Sequence, residues 1–172
     1  TWWAAIFFDP SKHAADPWAN FTYSATSSGS SEGSGSIMIS LDWANVTNRA
    51  LVLHDHTGSR IACGLIHSKA SSSVSPKASA QNKSSSVDKP TKSGRADIGD
   101  YPGYDGEYQV RGHVDVAPFP ASPGQFHLQW RLDGADKLCD GTAKLGAKNA
   151  CGLHIHKGLT CSDSNLVGGH FF

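Results

Sequence analysis

Residues 126–132 read FHLQWRL and residues 108–116 read YQVRGHVDV. In the first stretch Phe126, Leu128, Trp130 and Leu132 alternate with His127, Gln129 and Arg131. In the second, Tyr108, Val110, Val114 and Val116 alternate with Gln109, Arg111, His113 and Asp115. A period of two sends every second side chain to one face, as a strand with one buried side requires. Upstream, Ile37, Ile39 and Leu41 alternate within Ser36–Leu41, and Arg49–His54 contains the apolar run Ala50-Leu51-Val52-Leu53. No segment reads as a helix longer than a turn or two. Short strands at this spacing predict an all-β chain, folded as an antiparallel sandwich or barrel.

Composition agrees. The chain has 172 residues, enough for one domain with a real core, and only 17% of them are charged. Its 15 Lys+Arg balance 15 Asp+Glu, which removes the electrostatic case for nucleic acid or an anionic membrane as main partner. No apolar run approaches the ~20 residues of a membrane span. Residues 68–99 hold 10 Ser and 5 Lys among 32 positions and no aromatic residue. Such a stretch cannot bury enough apolar surface to offset its ordering entropy and reads as a flexible linker. The organisation expected is therefore a first segment 1–66, a linker 67–99 and a last segment 100–172. A Ser/Gly loop is expected at Ser24–Ser36.

Cys63, Cys139, Cys151 and Cys161 form an even set with no CxxC pair, which favours two disulfides over a zinc ribbon. Three sequons, at Asn20, Asn45 and Asn82, are candidate glycosylation sites. Together these features point to an oxidising, extracellular compartment. Thr1-Trp2-Trp3 carries neither a basic n-region nor a cleavage pattern, so the chain is expected to be a mature form or a piece of something longer.

The local signal richest in chemistry is Gly152-Leu153-His154-Ile155-His156. On a strand, residues i and i+2 project to one side, so both imidazoles can reach one metal ion. An ordinary pair of solvated strand histidines has the same pattern. Two further candidates are His170, in Gly168-Gly169-His170-Phe171-Phe172, and His54, which ends the apolar run 50–53 and precedes Asp55-His56. Four imidazoles suit a borderline metal such as copper.

These residues carry a resemblance. Gly152–Phe172, GLHIHKGLTCSDSNLVGGHFF, resembles the copper-site strand and following loop of the Cu/Zn superoxide dismutases. Arg49–Leu65, RALVLHDHTGSRIACGL, is similar to that family's last two strands with a much shortened electrostatic loop, and Tyr108–Trp130 is compatible with its first two strands. The resemblance implies a Greek-key β-sandwich or barrel with His54, His154, His156 and His170 as copper ligands. It implies a Cys63–Cys161 disulfide and makes Arg60 the cation that guides superoxide to the metal. Cys139 and Cys151, without a family counterpart and separated by eleven residues, then form a local bridge. In the family the histidine at the position of His170 releases reduced copper and takes up a proton.

Departures from the family are as informative. Its zinc site needs two further histidines and an aspartate, but Asp9–Trp18 offers only His13 and Asp16, which read as loop residues. Zinc is not expected, and the pattern is similar to the copper-only extracellular relatives. Without zinc, no residue in the sequence stands out as the one that fixes the second nitrogen of His170. The segment order is also permuted, since the family's second half occupies residues 9–66 and its first half residues 100–172. Either the chain is a circular permutant, or it is one unit of a tandem array or filament whose barrels close between neighbours. Thr1–Ile6, outside the family pattern, would then pack at such a junction. The activity implied is extracellular, copper-dependent dismutation of superoxide. The alternatives are a structural subunit of a repeat protein or filament, and copper storage or delivery.

Overall fold

The computed structural model describes residues 16–69, 92–142 and 146–172. His13, Asn82, Thr1–Ile6 and the middle of the expected linker lie outside them. Seven strands form one antiparallel sheet: β1 Ser31–Met38, β2 Ala50–His54, β3 Arg60–Ser68, β4 Gly94–Asp100, β5 Arg111–Pro118, β6 Gln125–Asp133 and β7 Leu153–Ile155. Their order across the sheet is β1-β6-β5-β4-β3-β2-β7. Among the described residues, helical structure is limited to the 3₁₀ turn Pro17–Asn20 and the single turns α1 Trp43–Val46 and α2 Ser164–Val167. None of the described helices is long and apolar enough to cross a membrane.

The sheet curls so that its two edges meet through one hairpin. Along the outer edge of β7, Tyr23 N–H donates to Cys151 O and Leu153 N–H to Phe21 O. A turn closed by Thr26 N–H on Ser30 O then leads into β1. The Cys139–Cys151 disulfide braces the same edge, where Ala25 N–H donates to Cys139 O. Inside the curl, Leu51, Leu53, Ile61, Leu128, Leu153 and Ile155 are fully buried. β2 is buried on both faces: Leu51 and Leu53 point into this core, while Ala50 and Val52 pack against Cys63, Tyr101 and Val167. The Cys63–Cys161 disulfide closes that second cluster.

Strands of both segments pair within the one chain, β1 with β6 and β2 with β7, so segments 1–66 and 100–172 build a single sheet. Four expectations need correction. The Ser24–Ser36 stretch is not all loop, because its last six residues open β1. Here glycine replaces apolar alternation: a Cβ on Gly33 would lie 2.6 Å from the Trp130 ring, and one on Gly35 2.9 Å from Phe21. Aromatic rings from neighbouring segments fill the space that side chains of β1 leave open. The strand also ends at Met38 instead of Leu41, since Ser40 takes a positive φ of 56°. The expected linker 67–99 overlaps strands at both of its ends. β3 runs to Ser68, and β4 hides its period of two in small residues, with Gly94, Ala96 and Ile98 inward and Arg95 and Asp97 outward. Finally, β5 starts at Arg111, three residues after Tyr108.

Candidate metal centre

Three stretches of chain deliver four imidazoles to one point. His54 ends β2, where the pairing with β3 slips by a bulge between Leu53 and His54. His154 lies in β7 opposite Val52. His156 follows directly and donates its N–H to Ala50 O. The segment of His170 lies alongside, bridged to His156, with Phe171 N–H on Ile155 O. Ring centroids are 4.4 Å apart for His154 and His170, 5.0 Å for His54 and His154, and 5.2 Å for His156 and His170. One ligand atom from each residue lies within 4.8 Å of the others.

Backbone carbonyls set the tautomers. Gly58 O accepts from His54 Nδ1–H and Gly168 O from His156 Nδ1–H, both at 2.9 Å. A carbonyl can only accept, so each of these rings keeps its lone pair on Nε2. His154 is turned the other way, bonded to the Phe21 backbone, and directs Nδ1 inward. Its ring sits so close to Gly152 that any Cβ at that position would collide with it. Gly58, with a φ of 85° and the Lys148 carbonyl against it, supplies the sharp turn that puts its own carbonyl under His54.

The consequence is a set of buried nitrogens with no partner. His54 Nε2, His154 Nδ1 and His156 Nε2 are each buried and unbonded, an arrangement that costs free energy unless something occupies their common focus. Burial, ahead of every other cause, pushes the pKa of His54 down to about 4, of His154 to about 2 and of His156 to about 3. Neighbouring imidazoles lower all three further, as Arg60 does for His54 and His156. These rings are therefore neutral at neutral pH, with lone pairs free. A donor set of three orphaned imidazole nitrogens, completed by His170, fits a metal ion that accepts nitrogen ligands.

The fourth imidazole is held differently, by a loop side chain to which the sequence assigned no role. Asp16, read from the sequence as a loop residue, places Oδ2 2.6 Å from His170 Nδ1. Its other oxygen caps the Pro17–Asn20 turn by accepting from Trp18 N–H. Asp16 thus fixes the ring whose orientation no residue of the sequence accounted for, leaving Nε2 to join the other three donors. His170 is also the least buried of the four.

Arg60 stands at the rim, opposite His54 in the β2–β3 register. Its Nη1 donates to Tyr101 Oη at 2.8 Å and its Nη2 to Gly168 O at 2.7 Å. Gly168 O is thus shared by Arg60 and His156. The structure brings together the four histidines singled out in the sequence and pairs the cysteines as Cys63–Cys161 and Cys139–Cys151; Tyr101, the carbonyls of Gly58, Gly168 and Phe21, and the contact of Asp16 with His170 were not legible there. Backbone acceptors leave no trace in residue types, although the glycines at 58, 152 and 168 mark where the chain must approach closely. Of the sequons, Asn20 and Asn45 are exposed. The remaining histidine near the site, His56, does not join it: its Nδ1 pairs with the buried Asp136 at 2.7 Å. Comparison of the chain with protein-family models, with curated proteins and with solved structures finds no match to any of them.

Proposed function

We propose that this chain is an extracellular, copper-dependent superoxide dismutase whose Greek-key barrel resembles that of the Cu/Zn family in permuted order. The observation that carries the reading is the convergence of three orphaned imidazole nitrogens and His170 beside one arginine. The sheet order supports it too, because the stretches that resemble the family's copper-site strand and last two strands lie side by side as β7, β2 and β3. Pairing of both segments within one chain favours a circular permutant over closure between neighbouring units. Two disulfides and exposed sequons at Asn20 and Asn45 favour the extracellular setting.

His54, His154, His156 and His170 would hold the copper. Bound there, the metal would supply the one-electron couple by which one superoxide leaves as oxygen and a second as peroxide. Arg60 attracts the anion electrostatically and orients it through its remaining N–H groups. His170, with Nδ1–H donated to the Asp16 carboxylate, can hold a proton on Nε2 whenever that nitrogen is free, and Asp16 balances the charge. Burial of the other three rings keeps water and competing ligands away from their side of the site.

Copper-loaded protein should show a Cu(II) resonance with nitrogen hyperfine structure and dismute superoxide, at a rate that falls as ionic strength rises. Copper binding without turnover would replace the enzyme with a storage or scaffold role. Failure to bind copper at all would remove the centre.

A further inference from the structure

We propose that Tyr101 is the residue that positions Arg60, holding its guanidinium so that the remaining donors face the approach to the four imidazoles. The inference rests on the copper-centre reading and adds to it a residue that neither touches the metal nor carries charge.

Arg60 has five N–H donors on a planar fork at the end of a flexible side chain. One anchor fixes a point on that fork and leaves the plane free to swing; two anchors on different nitrogens fix the plane. The first anchor is Gly168 O, on Nη2. The second is Tyr101 Oη, on Nη1. Tyr101 is well placed to serve as a fixed point. It follows β4, is 9% exposed, packs with Ala50, Val52, Cys63 and Val167, and donates its backbone N–H to Ile61 O. Its hydroxyl hydrogen is directed at Ser164 O, 3.3 Å away, so an oxygen lone pair is presented to Arg60. The Arg60 guanidinium carbon lies 5.7 Å from the Tyr101 ring centroid, which adds a weak cation–π attraction. Both anchors belong to one framework, since Ser164 and Gly168 bracket α2, whose loop the Cys63–Cys161 disulfide ties to β3.

Removal of the hydroxyl leaves the charge and its long-range attraction intact but lets the fork rotate. Positioning and steering can therefore be separated with azide, a small anion, titrated against the Cu(II)-loaded protein and followed by its charge-transfer absorption and by the Cu(II) resonance. In Tyr101→Phe the copper content and the azide-free resonance should match wild type. Azide affinity should fall about 3–10-fold, the loss expected for one ordinary net hydrogen bond, while its dependence on ionic strength keeps the wild-type slope. Arg60→Ala should weaken azide at least as much and flatten that slope, and Tyr101→Phe added to Arg60→Ala should change nothing further. Wild-type azide affinity in Tyr101→Phe overturns the proposal, as does additive loss in the double variant. Should Tyr101→Phe fail to fold, Arg60→Lys keeps the charge but cannot reach both acceptors. It should reproduce the weakened affinity with an unchanged slope, and wild-type affinity there overturns the proposal equally. A protein that binds no copper defeats the copper-centre reading, and an Arg60→Ala variant with wild-type azide affinity defeats the anion-guiding role of Arg60; either result takes this inference with it.

Discussion

His170 offers two ring nitrogens, and only one of them can face the other three imidazoles. The choice is made by Asp16, whose carboxylate takes Nδ1 at 2.6 Å and so commits Nε2 to the centre. A carboxylate in this position does two separable things: it accepts a hydrogen bond, and it supplies a compensating charge. Asp16→Asn keeps an acceptor oxygen and loses the charge; Asp16→Ala loses both. Outer partners of ligating histidines typically contribute 10–100-fold to metal affinity. Asp16→Ala should therefore weaken copper binding within that range in competition with a calibrated chelator, and Asp16→Asn should recover most of the loss. Wild-type affinity in Asp16→Ala would show that the bridge to His156 and the Phe171–Ile155 hydrogen bond already hold the ring. Nothing in the residue types announces this role. Asp16 precedes Pro17 and Trp18, which reads as a helix-cap pattern and nothing more; only the fold brings it to a residue 154 positions away.

Among the elements, legibility followed the size of the inward side chains. β5 and β6 alternate large apolar residues with polar ones, and β2 is continuously apolar because both its faces are covered. Each of these declares itself in the sequence. β1 and β4 obey the same period with glycine and alanine on the inward side, so hydropathy sees only Ser, Gly and charge. In β1 the missing volume comes from elsewhere, since Trp130 lies over Gly33 and donates its indole N–H to Ser31 Oγ. Gly33→Val tests this directly. Valine has the higher strand propensity, yet its Cβ would sit 2.6 Å from the Trp130 ring and force it outward. A loss of about 1–3 kcal/mol is expected from such overpacking, read as a lower urea midpoint together with red-shifted tryptophan emission. A gain in stability would mean that Trp130 can move aside and that propensity governs β1 after all.

At the scale of the molecule, the centre exists only when the two segments are docked. His54, Arg60 and Asp16 come from one side of the Ser-rich stretch; His154, His156 and His170 come from the other. Three of the four imidazoles are buried with depressed pKa values, and this couples the centre to global stability. An unfolded chain binds a proton on each histidine near pH 6.5, whereas the folded chain takes none until pH falls to about 4 for His54, about 3 for His156 and about 2 for His154. Between those limits the unfolded state holds more protons, so stability falls as pH falls. Each imidazole contributes about 1.4 kcal/mol per pH unit, and the three together up to about 4 per pH unit, against a typical total of about 5–15 kcal/mol. Copper-free protein should thus be stable at pH 7 and lose its folded circular-dichroism signal between about pH 6 and pH 4. A metal ion occupying the same lone pairs binds only the folded state, so it must be displaced before protons can act, and saturating copper should move the transition to lower pH. Replacing the ligand His54 by Gln removes one of the titrating groups and should make the copper-free transition shallower. A copper-free protein whose stability stays flat from pH 7 to pH 4 would show that the rings protonate without unfolding the chain, and hence that the centre opens to solvent while the sheet stays intact.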